Sequence, residues 1–151
     1  MNLTGSCECG RVTFSLSGTI PDVELCHCSQ CRKTSGHIWA SVLVPDEQCK
    51  ITSDETLKWR RSSDSAQRGF CTDCGSSLFY KHDEENKIAV AAGALETPTG
   101  LGIERHNFVK DKGDYYQIPD HEHQLERYQF KIKASGDKKT WQIFPQPHGL
   151  S

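Results

Sequence analysis

Cys26-His27-Cys28-Ser29-Gln30-Cys31-Arg32-Lys33 is the stretch on which the reading of this chain turns. Three cysteines fall close together, spaced so that a short loop running into one helical turn can aim all three sulfurs at a single point. Thiolates are soft ligands, and a d¹⁰ ion such as Zn²⁺ accepts whatever near-tetrahedral angles the loop supplies. A closed structural site takes four protein ligands, whereas three leave a position for water or a substrate sulfur, the arrangement of a reactive zinc. The other readings are free or disulfide-bonded thiols, or closure by a fourth ligand, for which Cys49 and His27 are the candidates. Cys49, in Gln48-Cys49-Lys50-Ile51, reads more simply as a buried strand thiol.

Outward from this stretch, two further cysteine pairs flank it. Gly5-Ser6-Cys7-Glu8-Cys9-Gly10 carries a C-x-C pair whose sulfurs can face the same way from one turn but are poorly placed to bridge each other. Phe70-Cys71-Thr72-Asp73-Cys74-Gly75 is a C-x₂-C followed by glycine, the form of a zinc knuckle in which the glycine lets the backbone turn under the metal. Together Cys7, Cys9, Cys71 and Cys74 supply four thiolates for a structural site. Such a metal would clamp the two ends of the segment that contains Cys26, Cys28 and Cys31.

The whole chain bounds these readings. Its 151 residues suit one domain, yet only 35% are apolar, so the core is thin and bound metal could decide whether it folds. Lys and Arg total 18 against 20 Asp and Glu, a formal charge of −2, which argues against a nucleic-acid binder that works through phosphate charge. The stretch Met1 to Cys7 has neither the basic nor the apolar region of a signal peptide, and no apolar run reaches the length of a membrane span. The expectation is a cytoplasmic protein with no membrane partner, in which eight cysteines serve as ligands rather than disulfides.

Val12, Phe14 and Leu16 alternate with polar residues, the period-two signature of a half-buried strand. Ile38 to Val44 is β-branched and apolar and stops at Pro45-Asp46. Further strands are expected around Ile51 and from Leu57 to Arg60, with a hairpin from Ser77-Leu78-Phe79-Tyr80 and Lys87 to Ala91 across the polar turn His82 to Asn86. Glu104 to Val109 reads as another strand, and a last one is expected around Trp141 to Phe144. His106 reads as a hydrogen-bonded structural histidine and His121-Glu122-His123 as a solvated loop. The result is a mainly β chain of packed antiparallel sheets with zinc-binding knuckles and little helix. Its core spans about 3–128, and 129–151 form a surface-packed C-terminal extension.

Taken together, these cysteine motifs and Gly93-Ala94-Leu95 resemble the glutathione-dependent formaldehyde-activating (GFA) enzyme family, which also includes centromere protein V. The resemblance covers roughly residues 5 to 118, with seven cysteines in order at their local spacings. It implies a GFA-like fold shared with a small guanine-nucleotide-exchange factor. It also implies Cys7, Cys9, Cys71 and Cys74 as ligands of a structural zinc, and Cys26, Cys28 and Cys31 as ligands of a catalytic zinc. The implied activity is that of a carbon–sulfur lyase forming or cleaving S-hydroxymethylglutathione from glutathione and formaldehyde, so the expected partner is a small thiol or aldehyde. Arg32 and Lys33 could offset the negative charge of three thiolates or hold a substrate carboxylate. The alternative is a zinc-stabilised binding module without catalysis, and the two part on whether the central site keeps an open position.

Overall fold

The computed structural model describes residues 1–132 and 140–143. It is built from strands: β1 (Asn2–Ser6), β2 (Val12–Ser17), β3 (Val23–Cys26), β4 (Trp39–Pro45), β5 (Cys49–Asp54), β6 (Leu57–Ser63), β7 (Ala66–Cys71), β8 (Ser77–His82), β9 (Lys87–Ala91), β10 (Ile103–Asn107), β11 (Gln124–Leu125), β12 (Gln129–Ile132) and β13 (Thr140–Ile143). Among the described residues, helix is confined to α1 (Ser29–Ser35) and three single 3₁₀ turns, as the sequence predicts. The chain forms two compact units, Met1–Glu24 with Ala40–Glu104, and Leu25–Trp39 with Arg105–Ser151.

The first unit holds two antiparallel arrays. β2 lies between β1 and β5, pairing Leu3 with Leu16 and Phe14 with Ile51. Its alternation places Val12, Phe14 and Leu16 fully inside. The other array runs β4, β9, β8, β7, β6, with Val42 opposite Val90 and Phe79 opposite Val90 on the far side. β9 is apolar through Ile88, Ala89, Val90 and Ala91, all buried, because both of its edges are paired and both faces covered. The arrays close on each other where the Phe14 ring meets Phe79 edge-on at 5.2 Å, with Trp59 stacked against Phe79 at 5.7 Å. Truncating such a ring to alanine costs about 3–5 kcal/mol.

Most predicted strands stand where the periodicity puts them. β7 escapes that reading because Arg68 and Gly69 interrupt its apolar run, yet Arg68 is buried with its guanidinium over the Tyr80 ring at 4.9 Å. β1 escapes it because five residues with a central glycine carry too little pattern.

In the second unit, Cys28 caps the N-terminus of α1, and Gly36, at φ 86°, ends the helix by donating its N–H to Arg32 O. β10 pairs with β11 in parallel, His106 beside Gln124, a departure from the otherwise antiparallel pairing expected. His27 N–H donates to Asn107 O, tying the cysteine-bearing segment to the end of β10. Phe108 then turns at φ 57° into the 3₁₀ turn Val109–Asp111, which leads to the loop carrying Tyr115 and Tyr116. β12 and β13 pair antiparallel, so the strand expected near Trp141 is present. The expected packing of the tail over 133–139 and 144–151 lies outside the described residues.

Candidate metal centres

Two groups of thiols converge, and they are the sets that the spacing defines: Cys7, Cys9, Cys71 and Cys74, and Cys26, Cys28 and Cys31. Within each group the sulfurs lie within 4.8 Å of one another.

The four-cysteine group is made by two tight turns. Cys7 and Cys9 sit in the turn after β1, closed by Gly10 N–H to Cys7 O at 3.0 Å, and Cys71 and Cys74 in the turn after β7, closed by Gly75 N–H to Cys71 O at 2.9 Å. Gly75 holds φ 77°, a left-handed conformation that a side chain would strain. The Cys7 and Cys9 sulfurs are 3.5 Å apart, and Cys9 and Cys71 are 3.7 Å apart. A tetrahedral zinc with bonds of about 2.3 Å needs edges of about 3.8 Å, so four thiols with this spacing fit the ion. Polar groups already favour thiolate on one side of the group. The Ser76 hydroxyl, 3.2 Å from Cys74 Sγ, leads the effects that pull the Cys74 thiol down to about 6. The Thr56 hydroxyl, 3.1 Å away, likewise lowers Cys71. At Cys9 the Arg11 backbone N–H favours thiolate, but lost hydration and the neighbouring thiols outweigh it and push the thiol up to about 12.

The three-cysteine group is local. Cys26 ends β3, Cys28 is the helix cap, and Cys31 lies in the first turn of α1, where its N–H donates to Cys28 Sγ at 3.3 Å. Cys28 and Cys31 are buried. Hydrogen bonds from Cys28 and Cys31, with burial added, push the Cys26 thiol well above its ordinary range. Three close thiols sharing protons in this way suit a cation that displaces those protons. Among the described residues no fourth His, Cys, Asp or Glu joins this group. Cys49 packs against the core of the first unit, where burial raises its thiol to about 11.

His27 is closed off as a ligand by its neighbours. It is fully buried, with Nδ1 2.5 Å from the Tyr116 hydroxyl and Nε2 2.8 Å from His106 Nδ1. His106 Nε2 lies 2.5 Å from Glu122 Oε2, so Glu122 docks on a buried histidine rather than standing in solvent as the sequence predicts. Burial first, then the charges of His106, His37, Lys112 and Arg32, lower His27 to about 4, and the ring is neutral at pH 7. Arg32 donates Nε–H to Asp111 O at 3.1 Å, while Lys33 is exposed. Tyr115 bonds His37 Nδ1 at 2.6 Å, and Gly113 leaves room for both tyrosines, since a Cβ there would lie 2.5 Å from the Tyr115 ring. Burial raises the Tyr116 phenol, and Cys26 is near enough to add to that effect. The sequence held one signal that His27 has a partner, and none that named Tyr116 or Glu122. His27 stands between two ligand-spaced cysteines and so points away from their sulfurs, toward a partner of its own.

A sequence model of the family described as "Glutathione-dependent formaldehyde-activating enzyme" matches residues 2–111. The chain belongs to this family. Similar proteins include an uncharacterized lyase of Schizosaccharomyces pombe, 25% identical over 76% of this chain and 83% of its own length. A Halomonas elongata protein named "Putative glutathione-dependent formaldehyde-activating enzyme" is 29% identical over 81% of this chain and 84% of its own. A Rhodobacter sphaeroides protein of known crystal structure shares the fold, with a TM-score of 0.53 and 24% identity over 62% of this chain and 88% of that one. Family membership and these names support an enzyme. Among the described residues, no helix is long and apolar enough to cross a membrane.

Proposed function

We propose that this GFA-family protein is a zinc-dependent carbon–sulfur lyase that forms and cleaves a thiol–aldehyde adduct, as an S-hydroxymethylglutathione synthase would, with glutathione and formaldehyde as its substrates. The observation that carries this reading is the count at the central site: three thiols converge, and the adjacent histidine has both ring nitrogens engaged elsewhere. In this reading Cys7, Cys9, Cys71 and Cys74 hold a structural ion, and Cys26, Cys28 and Cys31 hold the catalytic one. Zinc at the central site would supply Lewis acidity that favours the thiolate form of a substrate thiol near neutral pH. In the reaction the thiol gives up its proton and a sulfur lone pair forms the C–S bond to the aldehyde carbon. The C=O π pair moves to oxygen, which takes up a proton, and cleavage reverses each movement. Arg32, its Nε fixed on Asp111 O, places positive charge in the same unit as the thiolates and suits a substrate carboxylate. The whole chain acts as a single domain of the family, with 129–151 as an extension. Eight free cysteines fit a reducing, cytoplasmic setting.

The test is zinc content measured alongside NMR-detected exchange between formaldehyde and glutathione, for wild type and Cys28→Ser. The expected result is two zinc ions and accelerated exchange in wild type, against one zinc ion and the spontaneous rate in the variant. A wild type with two ions that leaves exchange at its spontaneous rate would overturn the lyase in favour of a zinc-stabilised binding module.

A further inference from the structure

Glu122, His106, His27 and Tyr116 form one hydrogen-bonded row within the second unit, and neither metal site uses it. His27 and His106 are both buried, with exposures of 0% and 4%, so the partners that they have are the ones that set their tautomers. The direction of the row follows from its end. An ionised carboxylate only accepts, so Glu122 takes the His106 Nε2–H. If His106 carries one proton, that proton is on Nε2, and its Nδ1 accepts the His27 Nε2–H. His27 Nδ1 is left as an acceptor, and the Tyr116 O–H donates to it. The phenol oxygen also receives the Gly113 N–H at 3.3 Å. Its proton is thereby turned inward, and one lone pair remains to accept.

We propose that Tyr116 is the hydrogen-bond acceptor for the hydroxyl of the thiol–aldehyde adduct, aimed by Glu122 through His106 and His27. The proposal rests on the lyase reading for the identity of its ligand. An S-hydroxymethyl group carries one O–H donor, which a plain thioether lacks. A site that offers an oriented acceptor there selects the adduct, because an analogue without the hydroxyl leaves that acceptor unpaired. Tyr116 touches the substrate, while His27, His106 and Glu122 are positioning residues. Tyr116 is half-buried, its hydroxyl 2.5 Å from His27 Nδ1 and the Lys112 ammonium 5.2 Å from the centre of its ring.

The experiment compares binding of S-hydroxymethylglutathione, formed in solution from glutathione and excess formaldehyde, with that of S-methylglutathione, using zinc-loaded protein. Wild type should prefer the hydroxymethyl form by about tenfold, the effect of one neutral hydrogen bond. Tyr116→Phe should erase that preference while leaving S-methylglutathione affinity and zinc content unchanged. Glu122→Ala should reduce the preference, and Glu122→Gln, whose amide oxygen still accepts from His106, should restore most of it. Long-range ¹⁵N NMR of the histidines in wild type gives a readout independent of turnover, with both His27 and His106 expected as Nε2–H tautomers. Nδ1–H tautomers would turn the row around, make Tyr116 a donor toward the substrate, and overturn the proposal. Equal binding of the two ligands by wild type, or equal weakening of both in Tyr116→Phe, would overturn it as well. Absent turnover with the ligand preference intact would sink the lyase reading and leave the assignment of Tyr116 standing.

Discussion

The two cysteine groups contain the same chemistry placed at different distances along the chain. In the first unit, Cys9 and Cys71 are separated by 62 positions, and the strands between them include most of that unit's core. In the second unit, Cys26, Cys28 and Cys31 belong to one loop and one helical turn. A cross-link that closes a loop of that larger size removes chain entropy worth about 4 kcal/mol from the unfolded state, against about 2 kcal/mol for a local one. The long-range group therefore acts on the fold, and the local group acts mainly on itself. The difference also extends to proton affinity. Hydroxyls at Cys71 and Cys74 favour thiolate, against the raised Cys9 of the same group, whereas Cys26 is held as a neutral thiol by its neighbours.

The largest effect expected from this difference is on stability. Cys74→Ser should lose the first unit's ion and lower the melting temperature by about 10 °C or more, since about 4 kcal/mol at this chain length corresponds to such a shift. Cys28→Ser should lose one ion with a far smaller change. Equal melting shifts in the two variants, measured by calorimetry on zinc-loaded protein, would remove the distinction between a frame and a local site.

The next effect is the order of metal release on acidification. Cys74, lowered from 9.0 to about 6, contributes stability to the metal-free form that is fully present above pH 9 and is lost as pH falls through 6. Cys26 is raised, so its proton returns at higher pH than an ordinary thiol's and competes with metal sooner. A dye-based zinc release titration between pH 7.5 and 5 is expected to show the ion of the three-cysteine group leaving first, in the absence of unfolding. Release in the opposite order would break the comparison at its electrostatic root.

How far the sequence alone reaches differs between the same two regions. The sulfurs were legible because ligand spacing is a local property: C-x-C and C-x₂-C turns present their thiols to one side whatever the rest of the fold does. The strands with clean alternation, β2 above all, were legible for the same reason. The Glu122–His106–His27–Tyr116 row was not, because its four members come from four separate stretches, and Glu122 reaches His106 beside the parallel pairing of β10 with β11. That pairing is two residues long and leaves no periodic trace. β7 was hidden for a different reason, since a buried arginine lying over an aromatic face reads in sequence as an exposed one.

The smallest effect concerns Cys49, and it sharpens the count of three. Cys49 lies on β5 opposite Leu16, half-buried against the core, and its thiol is raised to about 11 by burial and by the Asp46 carboxylate. A neutral buried thiol behaves as a small apolar group, and replacing its sulfur with a hydroxyl in half-buried surroundings should cost about 1 kcal/mol or less. Cys49→Ser should therefore keep both zinc ions and melt within about 3 °C of wild type, given the scale of melting shifts for a chain of this size. Cobalt substitution adds the decisive readout. The ligand-field bands of the three-cysteine group should be unchanged by Cys49→Ser and should shift when glutathione is added, while the bands of the four-cysteine group stay fixed. A cobalt spectrum that responds to Cys49→Ser and ignores glutathione at millimolar concentration would mean that a fourth thiolate closes the central site. The two groups would then differ in their place along the chain but not in what they do.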